Sequence, residues 1–165
     1  MNNSSFIVIK WRLDLYMKTL LELSVGDVLE QADFLTVTQD MINQFADATG
    51  DHQWIHLDTA RCQKESPFKT TIAHGFLSAS LMPKAFGEVL APSDKIASMI
   101  NYGIDKLRFL EPVKSNDALK YQFKLVDVTD KQQGKLYKVE ASCILKSSGN
   151  PALVGSFLML AVMKP

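Results

Sequence analysis

The acid–base side chains of this sequence are most concentrated in the stretch Thr-Gly-Asp-His-Gln-Trp-Ile-His-Leu, residues 49–57. Asp51 and His56 are the pair of interest, because an imidazole titrates near neutral pH and a neighbouring carboxylate can fix its tautomer or share a water molecule with it. Such a pair can move protons to and from a substrate. The alternative is a structural pair, in which Asp51 caps the loop and His56 is hydrogen-bonded in place.

A second stretch, Thr-Thr-Ile-Ala-His-Gly-Phe-Leu at residues 70–77, predicts a polar turn that enters an apolar helix. Backbone N–H groups in the first turn of a helix have no partner inside the helix and form a site for an anion or an oxyanion. Gly75, which has no side chain, would let a substrate carbonyl approach this backbone closely. The two stretches together therefore predict a proton-transfer pair beside an oxyanion donor.

Local signals define the elements that position Asp51 and His56. Thr38 can cap a helix that ends at Gly50 and delivers Asp51. Residues 51–56 are then expected to be an irregular loop, where a rigid scaffold can aim side chains at a ligand. Asp58 is predicted to cap a short helical turn that follows.

The segment after the second stretch is expected to form a buried helix. Residues 74–90 are apolar on almost every face, and a helix of that kind must be enclosed. Pro83 lies inside the segment and counts against a straight, continuous helix, because proline lacks the N–H that the helix needs.

Alternating apolar and polar residues predict several β-strands after this helix. Period-two patterns with one face in and one out occur around residues 106–109, 119–125 and 137–143, and a short strand is expected earlier, around residues 33–37. Residues 153–163 are apolar on both faces, as in a central strand or one covered at an interface. Short turns favour an antiparallel meander. The prediction is an α+β domain with the sheet wrapped around the helix.

The two site stretches, written G-D-x-x-x-x-H-x-D and I-A-H-G-F-L, resemble those of the MaoC-like hydratases, the (R)-specific enoyl-CoA hydratase branch of the hot-dog-fold proteins. The resemblance runs from about Leu35 to the C-terminus and includes Asn101-Tyr102-Gly103 and Arg108-Phe109. It implies a hot-dog fold, an antiparallel sheet around a long central helix. It also implies a homodimer whose two sheets join edge to edge.

The activity that the resemblance implies is the reversible addition of water to trans-2-enoyl-CoA, which gives the (R)-3-hydroxyacyl thioester. Asp51 and His56 would hold and activate the water, and the N–H of Gly75 would be the oxyanion donor. Which of Asp51 and His56 performs which proton transfer stays open. The alternatives are a dehydratase acting on acyl carrier protein, an acyl thioesterase, and a non-catalytic acyl-thioester binding protein.

The same resemblance implies a set of substrate-binding residues. For several of them another structural role is also possible. Trp54 stands where many members have proline, and it fits a core or dimer contact as well as a pocket wall. His74 fits a role in orienting the helix start, and Arg108 lies on a polar strand face that is either solvated or near the phosphates of coenzyme A. The full set of predicted substrate-binding residues is Trp54, His74, Phe76, Asn101, Tyr102, Gly103 and Arg108.

No metal and no separate cofactor are expected. His52 and His56 have the H-x-x-x-H spacing, but Gln53 stands where the zincin motif needs glutamate, and Gly50 makes a helix through both histidines doubtful. His52 is expected to be a solvent-facing loop residue. No glycine-rich phosphate loop is present, so coenzyme A is expected only as the carrier of the substrate.

Length and charge restrict the remaining possibilities. The chain has 165 residues, enough for one domain, and its 18 Lys and Arg balance 18 Asp and Glu. Clustered positive charge, which nucleic acids and anionic membranes require, is not indicated. Cys62 and Cys143 are too few for a disulfide framework and are expected to be buried thiols in a reducing cytoplasm. No apolar run reaches the roughly 18 residues of a membrane span.

The first 16 residues fit this pattern poorly. Residues 1–16 mix a polar start with a short apolar run and charges, so we expect an extension that is not necessarily native, followed by one domain over residues 17–165. Met17 is an alternative start under this hypothesis. Mass spectrometry of the natively expressed protein tests it, and detection of residues 1–16 would refute it.

Overall fold

A computed structural model describes residues 17–165, so the hypothesis about residues 1–16 lies outside the described part of the chain. The helices are a 3-10 turn at Leu20–Glu22 and α-helices α1 (Gln39–Thr49), α2 (Trp54–Leu57), α3 (Thr59–Glu65) and α4 (Gly75–Glu88). The strands are β1 (Val28–Glu30), β2 (Leu35–Thr36), β3 (Ile96–Phe109), β4 (Ala118–Lys131), β5 (Gly134–Leu145) and β6 (Pro151–Met163).

The ends of α1 and α3 confirm the predicted caps. The Thr38 hydroxyl accepts a hydrogen bond from the N–H of Met41 at 3.2 Å. At the other end of α1, Gly50 adopts the left-handed conformation with φ 78°, which glycine reaches without strain. Asp58 accepts from the N–H of Arg61 at 2.9 Å and caps α3.

The expectation of an irregular loop over residues 51–56 is wrong in its second half. Trp54–Leu57 forms the single turn α2, so His56 lies on a helix. The N–H of Asp58 closes this turn by donating to the carbonyl of Trp54 at 2.9 Å. One turn of helix has no periodic pattern long enough to be recognised in the sequence.

The sheet is antiparallel, with the strand order β1-β4-β5-β6-β3 and β2 paired with β4. The segments β4, β5 and β6 form the predicted meander, and β6 is the predicted central strand. The expectation that β3 continues the meander is wrong, because β3 pairs with β6 and the chain crosses the sheet to reach β4. Pairs of distant strands depend on tertiary packing, which local patterns do not report.

The helix α4 provides the core on the inner face of the sheet. Phe86 packs edge-on against Phe123 and Phe157, with ring centroids 5.2 and 5.5 Å away. Tyr121 on β4 donates its hydroxyl to the carbonyl of Ser78 at 2.6 Å. Pro83 lies inside α4, yet the helix continues to Glu88. The enclosed helix and the α+β class are therefore confirmed.

The strand β3 lies at one edge of the sheet and is exposed along most of its length. The predicted inner face near residues 106–109 is only partly buried within a single chain: Leu107 packs against the core, whereas Phe109 is 45% exposed. Its exposed apolar side chains are Met99, Ile100, Tyr102, Ile104 and Phe109. A long apolar edge strand is a surface that pairs readily with another strand.

Among residues 17–165, no helix is both long and apolar enough to cross a lipid bilayer.

Candidate functional site

Three side chains from separate parts of the sequence meet at one end of α4. Asp51 follows the C-cap of α1, His56 lies on α2, and His74 is the N-cap of α4. One polar side-chain atom from each of the three lies within 4.8 Å of the other two. The sequence interpretation of Asp51 and His56 as neighbours agrees with this geometry.

The imidazole of His56 is held in one orientation. Its Nδ1 lies 2.7 Å from the carbonyl oxygen of Ile72. Because a carbonyl oxygen only accepts hydrogen bonds, Nδ1 carries the proton in the neutral ring and Nε2 is left with a free lone pair. The side chain is buried, with 6% of its surface exposed. This tautomer can accept a proton from a substrate or a water molecule.

Gln39 and Thr71, which the motifs do not single out, secure the backbone of His56. The side-chain amide of Gln39 donates to the carbonyl of His56 at 2.8 Å. The hydroxyl of Thr71 donates to the Gln39 side-chain oxygen, and Thr71 itself is buried. These partly buried hydrogen bonds help to fix the position of α2.

His74 connects the two predicted catalytic residues. Its Nε2 donates to the backbone carbonyl of Asp51 at 2.9 Å, and its ring stacks on that of His56 with centroids 3.7 Å apart. The ring of Phe45 also contacts the His74 ring, with centroids 5.0 Å apart. These contacts agree with the predicted role of His74 in orienting the helix start.

Burial lowers the pKa of His56 from its ordinary value of 6.5, and a positive charge on His74 would lower it further. The hydrogen bond to Ile72 and the negative charge of Asp51 oppose this shift. His52 behaves in the opposite way: it is exposed, and its hydrogen bond to Asp47 raises its pKa. At pH 7 the neutral form of His56 is therefore the main one.

We expect NMR titration of the histidine ring protons to show His56 gaining its proton below pH 6.5 and His52 above it. The substitution Asp51→Asn should move the His56 midpoint still lower, because it removes a negative charge that favours the imidazolium. His52→Gln and His56→Gln assign the signals. A His56 midpoint above that of His52 would contradict the site electrostatics.

The start of α4 has the free donors that the sequence predicts. Among the described residues, no acceptor lies within hydrogen-bonding distance of the N–H groups of Gly75 and Phe76. A Cβ on Gly75 would lie 2.9 Å from the ring of Phe109. Glycine is required here because that ring packs on the backbone. The two free N–H groups can receive an oxyanion.

A cavity of about 270 Å³ adjoins these groups. Of the predicted site residues, His56 and Gly75 line it, together with the ring of Phe109 and the side chain of Ser78. Ser78 is absent from the sequence interpretation, although a serine within a run of apolar helical residues is a signal that could have indicated it. The other lining residues are Ile72, Ala73, Leu110, Glu111, Pro112, Val113 and Ala152.

Four of the predicted substrate contacts lie outside this cavity in a single chain. Asn101, Tyr102 and Gly103 line a different cavity of about 420 Å³ with Phe157 and Leu158. Tyr102 is the extra residue of a bulge, because Asn101 pairs with Met159 and Gly103 with Leu158. Arg108 is exposed and donates to the carbonyl of Leu107 at 2.8 Å.

The other three, His74, Phe76 and Trp54, are also not among the residues that line this cavity. Phe76 is 66% exposed and meets Phe109 edge-on, with ring centroids 5.6 Å apart. Trp54 is half-buried and lies under the guanidinium of Arg61 at 4.2 Å. This contact packs α2 on α3 within one chain, and the roles of Trp54 as a core or dimer contact or as a pocket wall stay predictions.

Asp51, His56 and His74 have the atom types of a metal site, and one such atom from each lies within 4.8 Å of the others. The Nδ1 of His56 and the Nε2 of His74 already donate to carbonyl oxygens. The two rings are stacked with an interplanar angle of 28°. The absence of a metal stays a prediction.

Comparison with known proteins assigns the fold and the family. The model of the family described as MaoC like domain matches residues 22–146. The 3-hydroxyacyl-thioester dehydratase Z of Mycobacterium tuberculosis is 36% identical over 137 residues, covering 82% of this chain and 89% of that protein. Nodulation protein N of Rhizobium meliloti is 35% identical over 144 residues, covering 86% and 88%.

Among solved structures, the R-hydratase PhaJ1 of Pseudomonas aeruginosa superimposes with a TM-score of 0.72 at 26% identity. The alignment covers 90% of this chain and 88% of that one. The fold is that of the hot-dog hydratases and dehydratases, as predicted. This chain belongs to the MaoC-like hydratase/dehydratase family. The prediction of a hydro-lyase is confirmed at the level of this family.

Proposed function

We propose that this protein reversibly adds water to trans-2-enoyl-CoA and forms the (R)-3-hydroxyacyl thioester. The single observation that carries the proposal is the buried His56 imidazole, whose Nδ1 is bonded to the Ile72 carbonyl, which lies beside Asp51, and which lines one cavity with Gly75. The name of the M. tuberculosis relative, a 3-hydroxyacyl-thioester dehydratase, supports a thioester substrate.

The proposed reaction needs two proton transfers and one oxyanion donor. The hydroxyl of water bonds to C3 of the enoyl group, a proton reaches C2, and the thioester is otherwise unchanged. Negative charge develops on the carbonyl oxygen in between, and a preorganised N–H at Gly75 would stabilise it by about 3 kcal/mol. Asp51 and His56 share the proton transfers through one water, so their titrations are coupled.

Loss of the enoyl-thioester absorbance tests this proposal directly. We expect the protein to consume the chromophore of crotonyl-CoA or of a longer 2-enoyl-CoA without releasing free thiol. Chiral analysis should identify the (R)-3-hydroxyacyl product. Release of free thiol would instead indicate a thioesterase. Turnover only of substrates carried by acyl carrier protein would indicate a carrier-specific dehydratase. Binding of acyl-CoA without turnover would indicate the non-catalytic alternative.

We also propose a cytoplasmic homodimer formed along β3. The exposed apolar side chains of this strand, among them Ile100 and Ile104, have no cover from the described residues of one chain. Its outer backbone edge is unpaired in the sheet order, which favours addition of a second strand. Contact of Asn101, Tyr102 and Gly103 with substrate then depends on the second chain. The two buried, unpaired cysteines suit a reducing compartment.

Arg108 is proposed to contact the phosphates of coenzyme A. We expect Arg108→Ala to raise the KM for crotonyl-CoA about two- to fivefold with little change in kcat, because exposed charge pairs contribute roughly 0.2–1 kcal/mol. High salt should remove the difference. Lys131→Ala, another exposed cation on the sheet, is the matched control. An equal KM increase with the N-acetylcysteamine thioester, which has no phosphates, would contradict this role.

A further inference from the structure

Ser78 has a buried hydroxyl that the protein leaves without a partner. Only 2% of the residue is exposed, and its Oγ has no hydrogen-bond partner among the described residues. An unsatisfied buried hydroxyl destabilises the fold, so it needs an explanation. Ser78 lies in the wall of the cavity that also contains His56 and Gly75. A ligand in this cavity would supply the partner that the described residues do not.

Another serine on the same helix shows how a helix ordinarily satisfies this group. Ser80 donates its hydroxyl to the carbonyls of Phe76 and Leu77, at 2.8 and 3.0 Å. The corresponding carbonyls for Ser78 are those of His74 and Gly75, and its hydroxyl bonds to neither of them, nor to any other described residue. The hydroxyl of Ser78 is therefore available to a ligand.

The position of Ser78 on α4 indicates which part of a ligand it would reach. Ser78 is the fourth residue of the helix, and helical side chains tilt toward the N-terminus. Its hydroxyl therefore lies over the turn that contains the free N–H of Gly75. A hydroxyl hydrogen rotates freely toward an acceptor. The acceptor expected at this turn is the thioester carbonyl oxygen.

We propose that Ser78 is a further oxyanion donor, whose hydroxyl hydrogen-bonds to the thioester carbonyl oxygen together with the N–H of Gly75. This inference rests on the proposed hydration of enoyl thioesters. The hydroxyl keeps its proton throughout, so no bond to Ser78 forms or breaks. Its contribution would grow as negative charge accumulates on the carbonyl oxygen.

The test compares Ser78→Ala with Ser80→Ala in the hydration assay and in urea unfolding. Ser78→Ala should lower kcat on the order of a hundredfold, as loss of an oxyanion donor does, while KM changes little. Its unfolding midpoint should be no lower than that of the wild type, since an unsatisfied hydroxyl has been removed. Ser80→Ala should keep wild-type activity. Wild-type kcat in Ser78→Ala would overturn the inference.

A spectroscopic measurement separates direct contact from a structural role. In the Asp51→Asn protein, which should turn over slowly, bound 2,4-hexadienoyl-CoA should absorb at longer wavelength than the free thioester, because hydrogen bonds polarise its carbonyl. Adding Ser78→Ala should reduce this shift, and adding Ser80→Ala should not. An undiminished shift would overturn the inference. A wild-type protein inactive on every enoyl thioester would refute the proposed function itself, whereas active wild type with active Ser78→Ala refutes only the role of Ser78.

Discussion

Replacement of Asp51 by asparagine or of His56 by glutamine is expected to lower kcat for enoyl-CoA hydration at least about a hundredfold, since each substitution removes a positioned acid–base group. Both replacements are close in size to the original side chains and keep hydrogen-bonding atoms. Loss of the 2-enoyl-CoA absorbance, followed in parallel with the wild type, measures the effect. Circular dichroism and the unfolding midpoint should show that the variants are folded.

The matched control for these substitutions is His52→Gln. His52 is four residues before His56, is exposed, and pairs with Asp47 at 3.0 Å, away from the cavity. It should keep wild-type activity. The double variant Asp51→Asn/His56→Gln should lose little more than either single variant, because residues that act on one water are not additive. Full activity in both single variants would show that the site is elsewhere.

Replacement of Ile104 by aspartate should convert the proposed dimer into a monomer. Ile104 is 51% exposed on the edge strand β3, and a dimer along that strand would bury it. An aspartate there would place an unpaired charge in the interface of both chains, which is strongly unfavourable. Light scattering after size-exclusion chromatography should give twice the chain mass for the wild type and one chain mass for the variant.

The control for the interface is Val25→Asp. Val25 is 63% exposed on the turn before β1, away from β3, so the added charge should leave the dimer intact. Activity measured on both variants reports whether the catalytic cavity needs the second chain. A wild-type protein that is monomeric at micromolar concentration would contradict the proposed β3 interface.

The features that sequence analysis predicts well depend on short-range physics. The caps at Thr38 and Gly50 are satisfied by atoms within four residues, and both are confirmed. The pattern of residues 74–90 predicts the buried helix correctly, because a helix that is apolar on every face must be enclosed by the rest of the protein. Asp51 and His56 are close because the turn between them is only a few residues long. Their catalytic role stays a prediction.

The features that sequence analysis misses depend on distant partners. The pairing of β3 with β6 joins Ile96 to Met163, and no local pattern reports it. The apolar residues of β3 suggest a buried face, but in one chain they lie at the sheet edge. The Ser78 hydroxyl has no partner among the described residues, and this becomes visible only when the hydrogen bonds are known.

The position of β6 between β5 and β3 has a consequence for the order of folding during synthesis. A ribosome produces the apolar helix α4 and the apolar strand β3 well before β6, the strand that connects β3 to the rest of the sheet. Until β6 emerges, β3 has no partner strand and α4 lacks the part of its cover that Phe157 provides, and exposed apolar segments of this kind favour aggregation. The nascent chain is therefore most in need of chaperone protection between the synthesis of α4 and that of β6.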